Sequence, residues 1–217
     1  MESTPRTGRG RAGSTLVAVR CCVPDATVAV DARGAVAHWG RGARALFGHR
    51  RGAALGTPVS ELLPVAGALS AAARPGDHHW LDGAGHLSGA GHAMAGVARV
   101  RRPGGGRLHV LWWAYPLPAP GPFRLLVLAS DAGRLRRRRE LRGARLTPGF
   151  GPRRRYPEAA ELAARVQRML GRAGRAGGPR LAERVLELGC PVLEVRRPVG
   201  CGDPPISPKE QVSGGCG

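Results

Sequence analysis

Residue types able to do chemistry are thinly spread along this chain of 217 residues. His78, His79, His86 and His92 crowd one Gly-rich stretch, and imidazoles are good ligands for zinc, copper or nickel. Their spacing matches no common metal motif, so an exposed loop with incidental histidines, and no metal, is expected. Cys21, Cys22, Cys190, Cys201 and Cys216 form no C-x-x-C and no zinc-like pairing; their odd number fits a reduced, cytoplasmic protein. Ser60, Ser88 and Ser130 stand in no G-x-S-x-G setting, and Cys21 and Cys22 have no evident His partner. Gly104-Gly105-Gly106 lacks the Lys and Ser/Thr that follow in a phosphate loop and reads as a tight turn. No catalytic residue is therefore expected, and the chain is not read as an enzyme.

The strong chemical signal is positive charge. Lys+Arg total 34 against 15 Asp+Glu, a formal +19, and Lys209 is the only lysine. Arg, Ala, Gly and Pro all have GC-rich codons, so a GC-rich genome can produce this bias without an anionic partner. About half the excess is concentrated between residues 132 and 155, where ten arginines face one acid, Glu140. Within that span runs Arg136, Arg137, Arg138, Arg139. A block of like charge repels itself and suits a solvated linker, which is the expectation; the alternative is polyanion contact through these four residues.

Such residues need elements to hold them. With 34 Gly, 19 Pro and 4% aromatics, any core must be built mainly from Leu, Val and Ala, with a few large rings as anchors. The spacing predicts a hairpin over residues 26–39, turning at Ala32-Arg33-Gly34, and a short helix over 41–47 with Ala43, Leu46 and Phe47 on one face. Ser60 to Leu63 is a short helix candidate that could continue over 65–73, and residues 74–91 are loop-like. Strands are expected over 92–101, 107–115 and 123–130, with Trp112 and Trp113 on opposite faces. Helices follow over 156–170 and 180–188, then a further strand over 191–195. The apolar run Leu16 to Val19 is too short for a signal peptide, and nothing approaches the ~20 apolar residues of a membrane span, so a cytoplasmic protein with no membrane contact is expected.

The order strand, strand, short helices, loop, three strands over residues 26–131 resembles a PAS domain. Val28-Ala29-Val30-Asp31-Ala32-Arg33-Gly34 with Val36-Ala37-His38-Trp39 is similar to that family's opening hairpin. Ala43-Arg44-Ala45-Leu46-Phe47-Gly48 and Ala54-Leu55-Gly56-Thr57-Pro58 are similar to its helix, Phe-Gly corner and Leu-Gly-x-Pro step. Gly40 stands where many members carry the Asn that fixes the turn from strand to helix. A narrower resemblance joins Val110-Leu111-Trp112-Trp113-Ala114-Tyr115-Pro116-Leu117, Leu126-Val127-Leu128-Ala129-Ser130-Asp131, Leu146-Thr147-Pro148-Gly149-Phe150 and residues 185–194. These are similar to the N-terminal regulatory portion of bacterial serine phosphatases of the stage II sporulation E type.

The resemblance implies an α+β fold, a PAS-like antiparallel sheet with short helices on one face and a small C-terminal helical segment. Trp39, Phe47, Leu55, Trp112 and Tyr115 would then be available to line a small-ligand pocket, although large rings in an aromatic-poor chain more often serve as core anchors. The phosphatase module itself needs several aspartates for two divalent metals, and after Asp131 only Asp203 remains, so no hydrolysis is expected. No haem is expected, because residues 60–73 contain no axial His and His78 and His79 lie beyond Pro75-Gly76. No photoactive flavin is expected either, since no cysteine lies between Cys22 and Cys190. The organisation so derived is a disordered arm 1–22, a sensory domain 23–132 able to fold alone, an arginine-rich linker 133–155, a small helical segment with a candidate strand over 156–197, and a disordered tail 198–217. The expected role is cytoplasmic signalling as a regulator or truncated homologue of a serine phosphatase, through a protein partner or homodimer and with room for a small ligand. The alternative is an arginine-mediated nucleic-acid-binding accessory protein.

Overall fold

The computed structural model describes residues 14–22, 24–63, 93–117, 122–151, 159–170 and 178–198. After a first strand, Ser14–Cys21 (β1), the strands Ala26–Val30 (β2) and Val36–Trp39 (β3) form the expected hairpin. Its turn is held by the Asp31 carboxylate, which accepts from the backbone N–H of Arg33 at 2.8 Å and of Ala35 at 3.0 Å. Three short helices follow: Arg41–Phe47 (α1), Arg51–Ala54 (α2) and Val59–Leu62 (α3). α1 buries Ala43, Leu46 and Phe47, the face its spacing predicts, and ends at a left-handed Gly48 whose N–H returns to the Arg44 carbonyl.

Met94–Arg101 (β4), Arg107–Pro116 (β5) and Leu125–Asp131 (β6) complete an antiparallel sheet of order β3-β2-β6-β5-β4. The short helices close one of its faces, where Leu46, Phe47, Ala54 and Leu62 pack with Val28, Val30, Trp39, Val110 and Trp112. This is the α+β architecture of an antiparallel sheet with short helices on one face.

Of the remaining elements, the late helices and last strand follow the sequence reading and the others depart from it. Ala132–Arg136 (α4) starts at Asp131, whose carboxylate caps the N–H of Arg134; a 3-10 turn over Arg139–Leu141 and a strand, Arg145–Phe150 (β7), come next. Ala159–Leu170 (α5), Gly178–Leu188 (α6) and Pro191–Pro198 (β8) follow, and β1, β8 and β7 form a second antiparallel sheet with β8 central. Residues 14–21, expected within a disordered arm, are therefore an edge strand, because β8 offers them a ladder that no local signal reveals. The expected linker is folded over much of its length: Arg134, Arg137, Arg138, Arg139, Arg142 and Arg145 are exposed while Leu135, Leu141, Ala144 and Leu146 are buried. The C-terminal segment is the expected helix pair and strand, with the strand running on to Pro198. The helix considered over 65–73, the histidine loop and the tail beyond Pro198 lie outside the described residues.

What this second layer covers explains why it folds. β5 and β6 are buried on both faces, and their outward side chains Leu111, Trp113, Tyr115, Leu126 and Leu128 form a second core with Leu146, Val166, Leu181, Val185, Leu193 and Val195. Two hydrogen bonds from rings on β5 help pin the layers together. The Trp113 indole N–H donates to the Gly149 carbonyl at 2.8 Å, and the Tyr115 hydroxyl donates to the Gly189 carbonyl at 3.0 Å. Gly189 has φ +102°, and a Cβ there would stand 2.7 Å from the Gly151 carbonyl oxygen, so only glycine fits this turn between α6 and β8.

The folded unit consequently extends past the expected sensory domain. Burial of a large apolar side chain is worth about 1.5–3 kcal/mol, so stripping the outer face costs on the order of 10 kcal/mol, comparable to the whole stability of a small domain. A fragment of residues 14–198 is expected to unfold in one cooperative denaturant transition, whereas 23–132 should bind a hydrophobic dye and unfold without cooperativity. Equal denaturation midpoints for the two fragments would contradict this account.

Candidate functional site

The sheet face beneath the short helices gathers most of the aromatic residues that the sequence marks. Trp39 and Phe47 meet with ring centroids 5.6 Å apart, and the Trp39 indole N–H donates to the His49 carbonyl at 3.2 Å. The β4–β5 turn is tied to the same corner, since the Arg102 Nε–H donates to the Leu46 carbonyl at 2.8 Å.

Trp112 shares that core, between Gly96 on β4 and Ala129 on β6 in the strand register. Its ring lies over Gly96 so closely that a Cβ there would stand 2.7 Å from Cζ2 and 2.9 Å from Cε2. A side chain at position 96 would displace the indole. Unlike Trp39 and Trp113, Trp112 has a buried Nε1–H with no acceptor among the described residues. Such an unmet donor costs about 1–3 kcal/mol, and an acceptor brought by a ligand would recover it.

The other two residues read as pocket lining are placed elsewhere. Tyr115 lies three positions from Trp112 on one strand, so the two-residue alternation sends it to the opposite core, where its ring meets Phe150 edge to face at 5.5 Å. Leu55, just past α2, is 37% exposed and faces outward. Trp39, Phe47 and Trp112 are thus brought together, and Leu55 and Tyr115 are not. Of the arginine run, Arg137, Arg138 and Arg139 are exposed and Arg136 is half-buried, around the end of α4. Among the described residues no cluster of three or more His, Cys, Asp or Glu is placed to hold a metal, and no helix is long and apolar enough to cross a membrane.

A further residue, His38, carries no signal in the sequence beyond its place in an alternating strand. It sits on the outer side of β3, 3% exposed, with neither ring nitrogen hydrogen-bonded. The C-terminal turn of α5 closes over it: the Thr27 hydroxyl donates to Met169 Sδ at 3.2 Å, and a Cβ at Gly40 would lie 3.6 Å from both His38 Nε2 and the Met169 carbonyl. Gly40, in the place where the resemblance expects Asn, caps α1 with no side-chain bond, and its N–H donates to the Thr27 carbonyl at 3.1 Å. Burial holds the His38 imidazole below the usual histidine range, and the Arg51 guanidinium pushes in the same direction. The nearby Met169 carbonyl favours the protonated ring without completing a hydrogen bond.

No protein-family model matches this sequence, and no curated protein does. Among solved structures, the chain is similar to the PAS domain of a protein from Colwellia psychrerythraea at 18% identity, with 50% of this chain and 86% of that one covered and a TM-score of 0.35. It is similar to the PAS domain of an HTR-like protein from Haloarcula marismortui at 18% identity, over 50% of this chain and 81% of that one, TM-score 0.36. It is also similar to the Rhodobacter sphaeroides LOV protein at 17% identity, over 75% of this chain and 85% of that one, TM-score 0.44.

The His38 environment has a consequence with a definite sign. A histidine whose folded-state pKa is depressed binds more protons when unfolded, so stability is intact above the unfolded value of about 6.5 and declines as pH falls through it. Denaturant midpoints measured between about pH 7.5 and 5.5 should drop for the natural chain and stay level for His38→Phe. The same decline in both proteins would remove His38 as its source.

Proposed function

We propose that this chain is a PAS-type sensory and interaction module without catalytic activity of its own. The observation that carries the reading is the buried, acceptorless indole N–H of Trp112 on the sheet face under the short helices. That donor suits a small, largely apolar ligand carrying one carbonyl, carboxylate or ring-nitrogen acceptor. The motif resemblance over residues 26–131 supports the same reading.

The route from such a ligand to an output is short. Trp112 and Trp113 are consecutive on β5, one ring in each core, and Trp113 holds Gly149 of β7. A ligand that shifts Trp112 would move the strand on which the second layer is pinned, biasing an existing equilibrium between tighter and looser packing of that layer. The partner that reads this change is, on the narrower resemblance, a serine phosphatase of the stage II sporulation E type. A cytoplasmic setting fits that partner.

The test is to record the indole N–H resonances of the isotopically labelled chain while titrating acceptor-bearing small molecules. A true ligand shifts the Trp112 resonance, raises thermal stability, and loses both effects in Trp112→Phe. Ligands that stabilise the chain equally well in Trp112→Phe, or a Trp112 resonance that no compound moves, would reject the site. The partner reading is tested by adding the chain to a phosphatase domain of that type encoded in the same genome. A change in phosphoserine hydrolysis is expected, with no hydrolysis by the chain alone.

A further inference from the structure

The fold turns a run of charge expected to be solvated chain into a fixed surface. Around α4, the 3-10 turn and the start of β7, Arg137, Arg138, Arg139, Arg142 and Arg145 are exposed, and Arg136 is half-buried beside them. None of these six has a carboxylate partner among the described residues, whereas Arg134 lies 3.8 Å from Asp25. The carboxylate of Asp131 at the base of α4 is taken by the Arg134 backbone N–H at 2.9 Å. Arg145 stands opposite Arg196 in the β7–β8 register, a like-charge pair that disfavours folding, and Arg196 leans on Glu194 at 3.4 Å. The backbone beneath is anchored, since Leu135, Leu141, Ala144 and Leu146 are buried in the outer core.

We propose that this corner binds the phosphodiester backbone of duplex nucleic acid without regard to base sequence. Such binding goes beyond the sensory reading and does not depend on it. Guanidinium groups bind phosphate oxygens in a bidentate fork, and several held on one ordered surface can neutralise successive phosphates, which a duplex offers at one charge per ~1.7 Å of axis. The surface lacks what other polyanions require. No aromatic residue lies between Ala132 and Phe150 to stack on unpaired bases. Among the described residues, the exposed large hydrophobics are Leu16, Val19, Leu55 and Val97; only Leu16 shares a rung with the corner, opposite Arg196 as Arg145 is, too little apolar surface to anchor a lipid membrane. Codon bias would scatter arginine, whereas here unpaired guanidinium groups are concentrated on about one helical turn and its exit.

The experiment is fluorescence anisotropy of the full chain with two unrelated DNA duplexes of about 20 base pairs, between about 50 and 200 mM salt. Equal affinity for both sequences is expected, with log K falling linearly against log salt. Replacing Arg136, Arg137, Arg138 and Arg139 together by Gln should weaken binding about 100-fold at the lower salt and flatten the slope by about 3.6, near 0.9 per phosphate contact. Arg142→Gln and Arg145→Gln, each alone, should flatten it by about 1 and serve if the fourfold variant does not fold. The charge-matched control replaces exposed Arg33, Arg44, Arg50 and Arg51, which lie on the β2–β3 turn and the helices over the other sheet face, and should leave affinity within about 3-fold. Equal losses in both variant sets would mean diffuse charge alone, and would overturn the proposal. Absence of duplex binding at low salt, or binding to phosphatidylserine vesicles in preference to duplex, would overturn it too.

Discussion

Everything in this molecule hangs on the alternation of one strand. β5 sends Val110, Trp112 and Ala114 into the core under the short helices and Leu111, Trp113 and Tyr115 into the core on the other side. A strand so placed cannot present a polar face, which is why its sequence is nearly continuous apolar residues and why β6 beside it is the same. The consequence is that each sheet face requires its own cover. Short helices supply one; the other is assembled from both ends of the described chain, β1 from before the sheet and β7, α5, α6 and β8 from after it. The two ring hydrogen bonds from Trp113 and Tyr115 to backbone carbonyls set the register of that cover, because each carbonyl belongs to a turn or strand end that cannot slide without losing its donor.

How much of this was legible depended on whether the deciding contact was local. The β2–β3 hairpin announces itself through Asp31 and Gly34, whose turn chemistry acts within four residues, and α1 through its i, i+3, i+4 spacing. β1 does not, since its Gly- and Arg-rich approach hides a strand that exists only because β8 pairs with it from far along the chain. The arginine block misled for a different reason. Counting charge discards the interleaved Leu135, Leu141 and Leu146, and these are what fix the segment to the outer core. At the candidate site, strand parity was sufficient to separate Tyr115 from Trp112, and overlooking it merged two cores into one pocket. His38 was beyond any local rule, because its burial is created by the meeting of Gly40 with Met169 of α5.

The two faces of the sheet therefore carry different kinds of information. Under the helices, apolar packing surrounds one unmet donor, an arrangement sensitive to a small molecule and nearly blind to salt. At the α4–β7 corner, charge is held in water, where interactions are long in range but screened within about 8 Å at physiological ionic strength. β7 belongs to both, since its first residue, Arg145, is at the charged corner and its Gly149 carbonyl receives the Trp113 indole.

The pairing of β1 with β8 has a mechanical side. Ser14 lies opposite Pro198, so the described chain enters and leaves through neighbouring positions at one end of an antiparallel ladder. Tension applied through those two points pulls the strands apart crosswise and loads one rung at a time. A ladder loaded along its length would instead resist with all its rungs together. The fold therefore behaves as a zipper toward anything joined at both ends, and its first opened element would be β1, the edge strand held by its ladder to β8.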